Sequence, residues 1–253
     1  MADRSVSAFE ARRARGRAVL RRSLGIALAL AALSSLAQAQ TSVDLAALDA
    51  YFSQAGEAWQ VPGFAIAIVK DDELVFAKGY GVRELRKSAR VDEHTLFAIA
   101  SNSKAFTAAA LAKLVAEGQI GWDDRVIDHL PYFQLYSPYV TQEMRIRDLL
   151  CHRSGLGTYS GDLLWYGTSY SPAEVVRRAR HLEPAGPFRA HYGYSNLMFI
   201  AAGEIIPAVT GRSWNEYVEA EYFGPLGMAS TVTSVTDLEG KTNVATPHAE
   251  KEG

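Results

Sequence analysis

The chain has 253 residues, 48% of them hydrophobic and 21% charged, with a single cysteine. Those figures fit one globular domain or slightly more, and they exclude a disordered chain, an internal disulfide framework and a cysteine-built zinc site. The net charge of −2 hides an asymmetry: residues 1–39 carry seven Arg against Asp3 and Glu10, a net of +5, which leaves the remainder at −7. An acidic body argues against nucleic acid or anionic lipid as the main partner.

The basic end reads as an export signal. Arg12, Arg13, Arg15, Arg17, Arg21 and Arg22 precede the apolar run Leu24 to Leu36, which is too short to span a bilayer, and Ala37-Gln38-Ala39 has the small-x-small form of a cleavage site. Residues 1–39 are therefore expected to be a signal peptide. Arg21-Arg22 leaves the choice between general and twin-arginine export open. The mature protein is expected to begin near Gln40, to work in the periplasm or outside the cell, and to keep no stable membrane anchor. Cys151 is then an odd cysteine in an oxidising compartment, which predicts a buried, inert thiol.

The mature chain opens with an amphipathic helix over 43–59, broken by Pro62-Gly63. Phe64 to Val69 and Leu74 to Ala77, parted by Lys70-Asp71-Asp72-Glu73, predict a β-hairpin. Both alternating faces of the first run are apolar, so cover is expected on both sides. Residues 101–117, rich in Ala and Leu, predict a helix ending at Gly118. Ile146 to Leu150 suggests a short helix. Leu156 to Arg189 reads as loop apart from a helix begun by Ser171-Pro172 with Glu174 after the cap. Helices follow at Leu197 to Val209 and Trp214 to Phe223, and Pro207 should kink or shorten the first. Beyond Thr231 the sequence is polar and weakly periodic.

Ser101-Asn102-Ser103-Lys104 opens the 101–117 segment, and Ser101 is the only serine with a lysine three residues later. On a helix that spacing puts both side chains on one face. A serine hydroxyl becomes a nucleophile only when a neighbouring base takes its proton, and a lysine serves as that base only if its pKa is depressed. A helix N-terminus would favour the developing oxyanion. An ordinary serine cap beside a solvated lysine fits the same four residues. The six histidines have no metal-ligand spacing, so no metal or other cofactor is expected. Cys151-His152 points two ways on a helix and is expected to be structural.

Four ordered stretches raise the specificity. Val61 to Val69 followed by Gly79-Tyr80-Gly81-Val82, Phe97 to Lys104, Arg147 to Leu156 and Tyr194-Ser195-Asn196 with Pro225-Leu226-Gly227-Met228 together resemble the serine β-lactamase and penicillin-binding protein superfamily. The resemblance, to the class C β-lactamase, D-Ala-D-Ala carboxypeptidase and esterase branch, runs from about residue 43 to the end. It implies an α+β fold, an antiparallel sheet with a large helical region. It also implies a serine hydrolase acting through an acyl-enzyme on a small-molecule or peptide amide or ester. In it Ser101 would be the nucleophile, and Lys104 its base or base-orienting partner. Tyr194 would exchange protons with Ser101 and the leaving group. Asn196 would hold Lys104 and bind the substrate carbonyl, and could also cap the following helix. Carboxypeptidase, peptidase, esterase and β-lactamase action stay unranked, and the oligomeric state stays open.

The third motif of that superfamily, Lys-Thr-Gly or His-x-Gly, has no convincing match. His191-Tyr192-Gly193 sits too close to Tyr194, and Lys241-Thr242-Asn243 lacks the glycine and a strand pattern. Residues 40–253 are accordingly expected to be a partial domain, C-terminally incomplete and inactive alone. The alternative is a catalytically incompetent binding module that keeps the cleft without the chemistry.

Overall fold

The computed structural model describes residues 43–251, so the signal expected over 1–39 lies outside the described residues. The chain divides into two units, Met1–Gln60 and Val61–Gly253. In the first, helix α1 (Leu45–Ala58) starts where Asp44 Oδ1 accepts the Ala47 N–H at 3.0 Å, and it buries none of its residues fully. Among the described residues no helix is long and apolar enough to cross a membrane.

The second unit begins with the expected hairpin. Strands β1 (Gly63–Lys70) and β2 (Glu73–Gly81) pair antiparallel from Gly63 opposite Gly81 to Lys70 opposite Glu73, with a register shift between Ile68 and Val69. Asp71 and Asp72 both take left-handed backbone, φ 53° and 65°, the twist that a two-residue hairpin turn requires. Aspartate tolerates that region, which is how the turn dispenses with glycine. Phe64, Ile66 and Ile68 are half-buried, and Phe64 stacks on Tyr80 at 4.8 Å. Ala65, Ala67 and Val69 are exposed, contrary to the expected double cover. An apolar run whose second face is mainly alanine does not by itself distinguish a covered strand from one with a bare face.

At Gly79 the chain crosses itself. A side chain there would meet the Val91 carbonyl oxygen at 2.4 Å, so the 89–92 segment can lie against the strand only over glycine. The polar tail returns to this place. Leu96 donates to the Asn243 carbonyl and accepts from the Ala245 N–H, both at 2.9 Å, in a short parallel bridge to Val244. Asn243 Oδ1 accepts from Thr95 at 2.8 Å and from Arg83 at 3.1 Å, and its Nδ2 donates to Asp92 at 2.8 Å. Lys241-Thr242-Asn243 is thus part of a clasp on the 83–96 segment.

The helical body is built round one helix. A 3-10 turn (Ala100–Asn102) leads into α2 (Ser103–Ala116), so the helix starts two residues later than expected and Ser101 sits in the lead-in turn. Helices α3 (Val126–His129) and α4 (Pro138–Glu143) lie where periodicity gave no signal, being one turn or little more. Ser137-Pro138 marks the start of α4 in the manner that Ser171-Pro172 marks α6 (Pro172–Arg178). Between them, α5 is Ile146–Leu149. Helix α7 (Asn196–Thr210) contacts α2, α3, α5, α6 and α8 (Trp214–Val218). It is sheathed by them, with Leu197, Met198, Ala201, Ala202, Ile205 and Ile206 wholly buried. Burying each of its larger aliphatic side chains stabilises the fold by about 1.5–3 kcal/mol. That outweighs the cost of Pro207: the helix runs on past it to a left-handed Gly211, φ 72°, whose N–H bonds the Pro207 carbonyl at 3.0 Å. The expected early ending is therefore not observed.

Candidate active site

The turn before α2 holds Ser101 out of the core. Ala100 has φ 44°, a left-handed conformation unusual for alanine, and Ser101 is exposed at the next position. One turn on, Lys104 Nζ donates to Ser101 Oγ at 3.1 Å, so the three-residue spacing works although Ser101 precedes the α-helix. Lys104 Nζ also donates to Asn196 Oδ1 at 2.7 Å. Asn196 is the first residue of α7 and not its cap. Ser195 caps the helix, its Oγ accepting the Met198 N–H at 3.3 Å, which frees the Asn196 carboxamide for Lys104.

Tyr194 Oη lies 2.5 Å from Ser101 Oγ, so all four residues singled out in the sequence meet at one place. The loop that carries Tyr194 is tied from several sides. Gly193 donates its N–H to the His152 carbonyl at 2.8 Å, and a side chain at Gly193 would meet the Leu156 carbonyl oxygen at 2.0 Å. Tyr194 N bonds Thr158 Oγ1 at 3.3 Å and its carbonyl accepts the Tyr159 N–H at 2.8 Å. His191-Tyr192-Gly193 is the approach to this loop.

His152 is the residue that sequence reasoning undervalued. Its ring stacks on Tyr194 at 4.4 Å with 24° between planes, and lies 5.3 Å from Phe199. Its Nδ1 accepts the N–H of the buried Ser195 at 3.0 Å, which requires a neutral imidazole. Burial and then the Lys104 charge hold the ring below the ordinary histidine value, in keeping with that role. Its neighbour Cys151 is exposed, not buried as expected, with Sγ donating to the Arg147 carbonyl at 3.0 Å. The one-turn α5 ends at Leu149, and Cys151 lies in the exposed turn that follows.

Asp162 was not legible at all. Asn196 Nδ2 donates to Asp162 Oδ2 at 3.0 Å, and Trp165 Nε1 donates to Asp162 Oδ1 at 3.2 Å. Nothing in the string Gly161-Asp162-Leu163-Leu164 signals this, because the partner lies 34 residues away.

Charge decides which group can take a proton. Lys104 Nζ also sits over the Tyr194 ring at 4.8 Å and the Phe199 ring at 5.4 Å. The Lys104 ammonium, followed by the Ser101 hydrogen bond, draws the Tyr194 phenol below its ordinary pKa. Ser101, Lys104 and Asn196 line a cleft of about 510 Å³ whose apolar walls include Trp165, Phe199 and Trp214. Among the described residues no group of three His, Cys, Asp or Glu could hold a metal ion. The arrangement suits proton exchange between Ser101 Oγ and the Tyr194 hydroxyl and attack of Oγ on an acyl carbon.

Comparison with known proteins agrees with this architecture. The model of the family described as Beta-lactamase matches residues 48–253. Among curated relatives, the unguisins hydrolase ungD of Aspergillus violaceofuscus is 33% identical over 201 residues, covering 76% of this chain and 35% of that protein. Protein flp of Staphylococcus aureus strain MW2 is 31% identical over 186 residues, 72% of this chain and 36% of that one. The octameric penicillin-binding protein homologue from Pyrococcus abyssi superposes with a TM-score of 0.69 at 28% identity, covering 80% of this chain and 47% of its own. A D-amino acid amidase from Ochrobactrum anthropi superposes with a TM-score of 0.59 at 28% identity, covering 69% and 48%. The chain spans about a third of the length of these curated relatives and about half of the solved structures. With a matching model over most of its length and the nucleophile turn, tyrosine loop and central helix in place, the chain belongs to the β-lactamase family, in the serine β-lactamase and penicillin-binding protein superfamily.

Proposed function

We propose that the protein is a secreted serine hydrolase that cleaves amides or esters through an acyl-enzyme on Ser101. Tyr194, kept ionisable by Lys104, takes the Ser101 proton as Oγ attacks the substrate carbonyl. The Ser101 backbone N–H supports the oxyanion, and Tyr194 returns the proton to the leaving group as the tetrahedral intermediate collapses. Asn196 holds Lys104 through Oδ1 and offers Nδ2 to the substrate. Water then releases the acyl group. The observation that carries the reading is the pair of contacts at Ser101 Oγ, 2.5 Å to Tyr194 and 3.1 Å to Lys104. Tyr194 is named as the base because its hydroxyl lies 2.5 Å from Ser101 Oγ and the Lys104 hydrogen bond lowers its pKa from the ordinary tyrosine value. Relatives named as a hydrolase and as an amidase support an amide substrate. Residues 1–39 would direct export, placing the enzyme in the periplasm or outside the cell.

The test is a fluorophosphonate or penicillin probe on the full-length protein. Ser101 should be labelled, Ser101→Ala should not, and Lys104→Ala should slow labelling by roughly 10²–10⁴. Equal labelling of wild type and Ser101→Ala would end the assignment and favour a binding module that keeps the cleft. The engagement of Asn243 with Arg83, Thr95 and Asp92 is the observation on that second side, since it occupies the string nearest to a third motif.

A further inference from the structure

We infer that Asp162 is a positioning residue for acyl transfer: its carboxylate fixes the Asn196 carboxamide so that Oδ1 stays on Lys104 and one Nδ2 hydrogen stays free for substrate. The inference rests on the Ser101 reading above and deepens it.

A carboxamide has two faces of almost equal shape, one accepting and one donating. Asn196 must present the accepting face to Lys104, and it does so at 2.7 Å. A flipped amide would set NH₂ against the ammonium, donor against donor. Lys104 alone opposes that flip with one hydrogen bond, and an incoming substrate carbonyl competes for the amide. Asp162 adds a second bond on the opposite side, from Asn196 Nδ2 at 3.0 Å, and the acceptor is a carboxylate. A flip then breaks both bonds at once. Asp162 is itself held: it begins the 3-10 turn Asp162–Leu164 after Gly161, and its other oxygen accepts from Trp165 Nε1. Trp165 lines the cleft, so one carboxylate orders both a wall of the site and the residue that steadies Lys104. Nδ2 has two hydrogens, and Asp162 takes one, which leaves the substrate the other.

The arrangement has an electrostatic consequence that a structural role lacks. Tyr194 is faced by Lys104 from α2, by His152 and Tyr159, and by the Asp162 charge from the loop. Asp162 is the anion in that set, so it opposes ionisation of the phenol, and removing its charge should make the phenolate easier to form.

The experiment measures Ser101 labelling by a fluorophosphonate, as rate against probe concentration and pH, in full-length wild type, Asp162→Ala and Asp162→Asn. Asp162→Ala should lower the maximal labelling rate by about 10–100-fold with little change in probe affinity. Asp162→Asn can still accept from Asn196 Nδ2, so it should regain most of the rate, with its acid limb moved to lower pH. Thermal melts within a few degrees of wild type exclude misfolding as the cause. Wild-type rates in Asp162→Ala, or equal losses in both variants with an unmoved pH profile, would overturn the inference. If wild-type Ser101 is not labelled at all, the proposed function fails, and the clamp is read by NMR of the Asn196 side-chain amide. Two well-separated, slowly exchanging hydrogens that coalesce in Asp162→Ala support it, and unchanged signals refute it.

Discussion

Replacing His152 by alanine should cost both stability and acylation. Two of the lost interactions set the scale. The ring stack on Tyr194, 4.4 Å between centroids, contributes about 0.5–1.5 kcal/mol beyond burial. The Ser195 N–H, on a fully buried residue, loses its acceptor at 3.0 Å, and an unpaired buried donor costs about 1–3 kcal/mol. The sum is about 1.5–4.5 kcal/mol, readable as a shift in the urea midpoint. A Tyr194 ring free to move by about 1 Å should also slow Ser101 labelling by about 10²-fold. His152→Asn separates the two effects. Asparagine accepts the left-handed backbone at this position, φ 56°, and offers an oxygen near Nδ1, so it should recover much of the stability but not the stack. The sign with pH follows from the depressed value of the folded ring. Its stabilisation is present in full above the unfolded value of about 6.5, and is lost as the pH falls from there through the folded value. A His152→Ala protein that unfolds at the wild-type midpoint and labels at the wild-type rate would show that the ring neither holds Tyr194 nor satisfies the Ser195 amide.

Tyr194→Phe should slow Ser101 labelling by about 10²–10⁴, and the wild-type rate should rise with pH through a midpoint below the ordinary tyrosine value of about 10. A pH profile that survives Tyr194→Phe would transfer the base role to Lys104. Ile205→Ala removes a wholly buried side chain from the central helix and should cost about 2–5 kcal/mol in denaturant unfolding. Asn243→Ala should release the tail clasp, speeding hydrogen exchange at the Leu96 and Ala245 amides while leaving Leu114 in α2 protected.

What the sequence made legible was local or matched a known pattern. The hairpin, α1, α2, α6 and α7 follow from period and caps, and Ser101 and Lys104 from a spacing that one helical turn converts into contact. Tyr194 and Asn196 came from resemblance alone, since no periodicity links residues 93 positions from Ser101 and 92 from Lys104 to them. Asp162 is invisible for the same reason without a motif to help, and the Arg147 to Leu156 match marks His152 without revealing its stacking role: each acts across a loop crossing set by tertiary packing. The short α3 and α4 were missed because one turn carries too little period, although Ser137-Pro138 was a usable start signal. For Cys151 composition and compartment predict burial, whereas the turn that follows α5 leaves the residue exposed.

An acyl-enzyme on Ser101 can be trapped by rapid-quench mass spectrometry of the full-length protein mixed with a chromogenic amide or ester. A transient mass increase equal to the acyl group is expected, mapped to the peptide containing Ser101. It should form in step with release of the chromophore and vanish in Ser101→Ala. Turnover without that adduct, or an adduct on another residue, would contradict the acyl-enzyme on Ser101.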